Sequence, residues 1–235
     1  MAYERPRALG EQPETRALEQ RLCGLGMLLG QRPDPSAPIE PTLVYGVRLA
    51  LDGWDMRVLG VLVVWLEVHH MRVHVPWLVR CVREQQPAAE VAELALWSAL
   101  GQWLERTDRR FAALARLYDG PTLDVLPGTS DALLARRGED PRFHKTHARI
   151  PDGTLRRRLG DVLSPEDLAA LHPGYRNRVL MGTSWRALLW TILERHPSLT
   201  AAELAREARC AFATAWQVRR DFLLLHTPSV AGASG

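Results

Sequence analysis

Three groups of side chains in this 235-residue sequence have types and spacings that could do chemistry. Glu67, His70 and His74 stand at i, i+3 and i+7, so one helix face would present a carboxylate and two imidazoles, donors that suit zinc. The neighbouring residues are apolar and no recognised zinc pattern surrounds them, so they read as surface or partly buried side chains. The stretch Gly138-Glu-Asp-Pro-Arg-Phe-His144, with His147, gathers acids and imidazoles as a nuclease or hydrolase site would. It has no strand context and no nucleophile pattern, so it reads as a loop tied by local ion pairs. Residues 174–225 hold eight Arg against four acids, a density of guanidinium groups suited to phosphate. The sequence contains no P-loop, no paired-glycine dinucleotide fingerprint and no Gly-x-Ser-x-Gly elbow. No enzyme activity, cofactor or metal is expected.

The elements that must position these groups follow from composition and periodicity. Hydrophobic residues make up 46% of the chain and charged ones 24%, enough apolar mass for one or two cores. The longest uncharged apolar run, Val58 to Leu66, is nine residues and ends at Glu67, too short to span a bilayer, so no membrane partner is expected. The first residues show no apolar leader, and Cys23, Cys81 and Cys210 are few and scattered. Both features point to a cytoplasmic protein. The net charge of +3 is unevenly spread: residues 1–41 sum to minus one, 42–120 to zero and 121–235 to plus four.

The pattern predicts an all-α fold. Residues 1–41 read as an arm with one helix between Glu14 and Leu29, flanked by prolines. Residues 42–120 read as a helical domain of four or five helices, one of them bracketed by Pro76 and Pro87. Its run Val58 to Val64 fits either a helix or a buried strand. Residues 121–163, punctuated by proline and glycine and carrying Arg136-Arg137 and Arg156-Arg157-Arg158, read as a mostly irregular basic connector, with Leu123 to Leu126 and Ala148 to Ile150 its only plausible short strands. Ser164-Pro165-Glu166-Asp167 opens a helix and with it a C-terminal domain, 164–226, followed by a flexible tail, 227–235. Most of the eight tryptophans lie on apolar stripes and belong to the core, with Trp216 the exception.

Within 164–226 the signals are strongest. Trp185, Leu188, Leu189, Ile192 and Leu193 form the stripe of a helix that stops near His196-Pro197. Thr200 with Glu203 makes a capping box, and Leu199 with Leu204 a hydrophobic staple, for a short helix over Ala201–Ala208. After the bridge Arg209 to Phe212, a third helix carries Ala215, Val218 and Phe222 inward.

Leu199-Thr-Ala-Ala-Glu-Leu-Ala-Arg-Glu-Ala208 followed by Phe212-Ala-Thr-Ala-Trp-Gln-Val-Arg-Arg220 resembles the bacterial helix-turn-helix DNA-binding proteins, with Arg209 at the turn position usually held by glycine. The resemblance covers roughly 40 residues and implies a tri-helical unit whose last helix enters the major groove. It places Thr214, Gln217 and Arg220 toward bases, with Arg219, Arg176, Arg178 and Arg186 available for phosphates. The expected partner is duplex DNA, and the expected role that of a bacterial transcriptional regulator or an antitoxin-like accessory protein. The alternative is a helical adaptor, with the N-terminal helical domain as the surface for a second copy or a protein partner and the helix-turn-helix serving packing or protein contact.

Overall fold

The structure is a computed structural model and describes residues 13–85 and 90–226; the tail 227–235, the start of the arm and Pro87 lie outside the described residues. Those residues are mostly helical, with twelve α-helices and one two-stranded sheet, in agreement with the all-α expectation. None of the helices is long and apolar enough to cross a membrane. The chain divides into two compact units, residues 1–172 and 173–235.

The first unit is built around α3 (Met56–His69), preceded by α1 (Pro13–Gly24) and α2 (Ile39–Asp52). Asp55 caps α3, its carboxylate accepting from the N–H groups of Arg57 and Val58 at 3.0 Å each. Every residue from Val58 to Leu66 is buried, so the run is a helix apolar on all sides. The strand alternative falls to length, because fourteen capped residues exceed an ordinary strand. Two polar atoms carried into this core find carbonyls: Trp65 Nε1 donates to Leu25 O at 2.6 Å, and His69 Nε2 lies 3.2 Å from Leu163 O.

Next come α4 (Val75–Gln85), α5 (Val91–Glu105) and α6 (Ala112–Ala115). Ser98 Oγ on α5 donates to Ala115 O at 2.5 Å. Gly101 allows the close approach, since a β-carbon there would lie 2.3 Å from Ala115 N.

The segment 121–163, read from sequence as a connector, supplies core to this same unit. Leu126, Phe143, Ala148, Ile150 and Leu155 are buried. Two short parallel strands, β1 (Leu123–Asp124) and β2 (Ala148–Arg149), pair Leu123 with Ala148 and Asp124 with Arg149. An unexpected helix, α7 (Asp131–Arg137), starts at Ser130, whose hydroxyl accepts from Leu133 N–H. The basic residues of the 121–163 segment are partly neutralised, Arg149 by Asp124 and Asp131, and Arg157 by Glu67. The helix opened by Ser164, α8 (Pro165–Leu171), falls in this unit and not with the C-terminal helices.

The second unit holds α9 (Pro173–Met181), α10 (Trp185–Arg195), α11 (Ala201–Ala208) and α12 (Phe212–His226). The last three enclose a small core of Leu189, Leu193, Leu204, Ala205, Ala208, Ala215, Val218 and Phe222.

Burial in the first unit pushes His69 down from 6.5 to about 4, the bond to Leu163 O opposing only in part. The unfolded chain takes up this proton near pH 6.5 and the folded chain only near 4. Stability from neutral His69 is therefore complete above that upper value and drains away as pH falls toward the lower one, by about 3 kcal/mol in all. His69→Gln should be markedly less stable than the parent in urea unfolding at about pH 7, with the gap narrowing by about pH 4.5. A gap that stays constant across that interval would show that His69 titrates as it does in water.

Candidate functional site

The three C-terminal helices place the arginine-rich surface. On α10 the stripe packs as its spacing requires, with Leu189 and Leu193 fully buried and Trp185, Leu188, Trp190 and Ile192 partly so. Thr200 then fixes the start of α11. Its hydroxyl accepts from Glu203 N–H at 3.3 Å, while Thr200 N–H donates to Glu203 Oε2 at 2.8 Å. The Thr200 hydroxyl, which also donates to Glu203 Oε2 at 2.7 Å, and after it the Thr200 N–H hold the Glu203 carboxyl below the ordinary carboxylate range.

The stop is as definite. Arg209 takes up the left-handed conformation, φ 52° and ψ 43°, and Cys210 N–H returns to Ala205 O at 3.0 Å. For a residue with a β-carbon that conformation costs about 1 kcal/mol, which is why glycine is usual there. α12 then buries Ala215, Val218 and Phe222 and turns its other side outward.

That outer side carries part of the expected set. Gln217 and Arg220 are exposed and Thr214 is half-buried, all on α12. The same helix carries Phe212, 58% exposed, and Trp216, 50% exposed. The Arg220 guanidinium lies 5.3 Å from the Trp216 ring centroid and donates to Asp221 Oδ1 at 3.2 Å.

The other arginines divide. Arg176 is exposed on α9, but Arg178 is 3% exposed. Arg186 NH1 donates to Asp221 Oδ2 at 2.7 Å, with its guanidinium 5.4 Å from the Trp190 ring. Arg219 Nε donates to Leu199 O at 2.6 Å, tying α12 to the turn before α11. Arg186 first, then Arg220, hold the Asp221 carboxyl below its usual range. The structure thus brings Thr214, Gln217 and Arg220 onto one helix, leaves Arg176 accessible, and engages Arg178, Arg186 and Arg219 elsewhere. Sequence reasoning missed Phe212, assigned to the bridge, and Asp221, the acid between two arginines. The i, i+4, i+8 series Phe212, Trp216, Arg220 was the available signal.

The other two chemical groups do not assemble into metal sites. Helix α3 ends at His69 and a 3₁₀ turn follows, so Glu67, His70 and His74 do not share one helix face. Glu67 pairs with Arg157 at 2.6 Å, and His74 N–H donates to Glu40 Oε1 at 2.8 Å. Among the described residues no group of three His, Cys, Asp or Glu could hold a metal ion. In the 138–147 loop, Arg142 pairs with Asp140 at 2.6 Å and His144 Nδ1 with Glu139 Oε2 at 2.9 Å, while His147 packs edge-on against Tyr118.

Thr200→Ala removes the acceptor of the capping box and should cost about 1 kcal/mol, seen as faster amide exchange along α11 while α5 is unaffected. Unchanged exchange in α11 would mean that its start does not depend on the Thr200 hydroxyl.

Compared with known proteins, the chain matches no family model, no curated relative and no solved structure.

Proposed function

We propose that the second unit is a helix-turn-helix domain that binds duplex DNA, with α11 and α12 as its two helices and α12 in the major groove. The observation that carries this reading is the outer face of α12: a helix held from behind by Ala215, Val218 and Phe222 presents Gln217 and Arg220 to solvent with Thr214 beside them. Gln can pair with adenine through two bonds and Arg with guanine or phosphate, so these residue types suit base edges. A short α11 fixed at both ends sets the register of α12, as groove readout requires. The charge supports it, with eight Arg against four acids over 174–225. One unit offers few contacts, so tight specific binding calls for a second copy on a half-site about one helical turn away, or for a larger partner. The helical first unit is the candidate association surface. A bacterial transcriptional regulator or an antitoxin-like accessory protein would use the chain in this way.

A second reading rests on Phe212 and Trp216. Large aromatic surface exposed on one helix also suits a protein partner, in which case the same face is a docking surface of a helical adaptor.

The test is equilibrium binding of the full chain to random duplex across salt. With Arg176 and Arg220 as the accessible members of the expected set, log K should fall against log salt with a slope near minus two. A slope near minus four would mean that Arg178, Arg186 and Arg219 leave their present surroundings on binding. Gln217→Ala with Arg220→Ala should weaken binding by about tenfold or more, whereas Arg80→Ala with Arg83→Ala should not. Equal loss from both pairs, or no binding at about 50 mM salt, would abandon the DNA reading for the adaptor.

A further inference from the structure

We propose that the cleft between α5 and the turn at residues 139–145, in the first unit, binds a phosphoryl oxyanion, with Lys145 and Arg106 as its cations and the His144 ring beside them. The cleft is wide open to solvent, offers about 600 Å³ and is lined by Gln102, Arg106, Glu139, Pro141, His144 and Lys145. A space of that size suits a small phosphorylated ligand.

The turn is anchored by burying every second or third side chain. Asp140, 2% exposed, accepts from Arg142 N–H at 3.0 Å and from its guanidinium at 2.9 and 2.6 Å. Arg142 NH2 also donates to Leu155 O at 2.6 Å, Phe143 is fully buried, and Thr146 Oγ1 donates to Phe143 O at 2.7 Å. Pro141, His144 and Lys145 are left exposed on this knot and Glu139 half-buried. From the other wall Arg106 fastens the turn to α5, donating to Pro141 O at 3.3 Å and His144 O at 2.6 Å. The backbone of the turn is therefore braced from both sides, and it sets where the charged side chains leave the frame.

Their chemistry selects the ligand. Lys145 is the only lysine of the chain and adopts φ 59°, a left-handed position that its β-carbon disfavours. Among the described residues its ammonium makes no ion pair. Arg106 has committed two N–H groups to carbonyls, so it serves the cleft as a fixed positive charge and not as a fork for a planar carboxylate. Glu139 accepts from His144 Nδ1, which leaves Nε2 as the ring nitrogen not used in that bond. Gln102 Oε1 accepts from His147 N–H at 3.0 Å, so what Gln102 can offer is its amide NH2. Two cations, of which Arg106 is held by carbonyls, stand against one carboxylate already engaged by an imidazole, and donors come from both walls. A tetrahedral anion with three free oxygens can meet both walls, whereas a carboxylate offers only two oxygens. The phosphoryl group could belong to a free ester or to a nucleic-acid backbone.

The test titrates the full chain separately with inorganic phosphate, a nucleoside monophosphate, acetate and a short duplex, read by calorimetry and by the His144 ring resonances. Phosphate and the monophosphate should saturate and acetate should not. Lys145→Gly should weaken phosphate binding by about tenfold or more while its melting temperature stays level or rises, because glycine is relaxed at that φ. Lys145→Arg should bind within about threefold of the parent. A smaller loss of duplex affinity in Lys145→Gly, alongside the loss of phosphate binding, would assign the site to backbone phosphates; unaltered duplex affinity would assign it to free esters. Either outcome stands apart from the α12 reading, because Gln217→Ala with Arg220→Ala should leave phosphate binding unchanged. Phosphate binding that survives Lys145→Gly intact, equal binding of acetate, or no saturation by any phosphoryl probe would each overturn the proposal.

Discussion

Nine consecutive apolar residues from Val58 to Leu66, all buried, impose the constraint on which the first unit depends. Each such side chain gains about 1.5–3 kcal/mol on leaving water, and a helix with no polar side can collect that gain only if protein surrounds it completely. The segment before α8 therefore runs close alongside α3: a β-carbon on Gly60 would meet Arg156 N and O at 3.4 Å. Leu163 O takes the buried imidazole of His69, and Met27 forms a bridge with Val162. Arg157 crosses back to Glu67 at the end of the same helix. Enclosing α3 thus fixes one end of the 121–163 segment, and that in turn gives the 139–145 turn a firm base.

This dependence explains which parts of the fold could be read from sequence. In the second unit each short helix carries its own stripe and its own start signal, so Thr200 with Glu203 and the series Ala215, Val218, Phe222 were legible without reference to the rest. Burial in 121–163 alternates at spacing two only over Thr146, Ala148 and Ile150, where β2 forms. Leu126, Phe143 and Leu155 are buried outside any such run, and their burial answers a tertiary demand that leaves no mark at spacing two or 3.6. Proline and glycine then made the segment look like a linker. Trp54 shows the same limit from the other side, since it is half exposed at a chain reversal while Trp65 and Trp97 are fully buried, and residue type alone does not separate them.

Counting arginines was informative about where charge lies and misleading about what it touches. A guanidinium carries five N–H donors, and nearby backbone carbonyls and carboxylates compete for them with any external phosphate. Arg219 on Leu199 O, Arg186 on Asp221 and Arg142 on Asp140 and Leu155 O act as braces. The candidate α12 surface is shaped by this partition, because bracing by Arg219 and Arg186 holds the helix while Gln217 and Arg220 stay outward. Asp221 belongs to both sides of the division, accepting from a brace and from an exposed arginine at once.

Among the described residues, three other than glycine hold the left-handed conformation: Trp54, Lys145 and Arg209. Each such position costs on the order of 1 kcal/mol and persists only where the surroundings fix the backbone more firmly than the residue itself would choose. All three meet that condition, through the Asp55 cap of α3, the buried Asp140–Arg142 pair and the end of α11 respectively. Strain alone therefore does not mark a site. At Trp54 the reversal accounts for the conformation by leading directly into a cap. At Arg209 the same reversal sets the register of a helix with polar ends outward, and at Lys145 it sets an unpaired ammonium beside a second cation across a cleft. What distinguishes the latter two is the chemistry displayed next to the strained residue, held in place by burial that the displayed groups do not themselves provide.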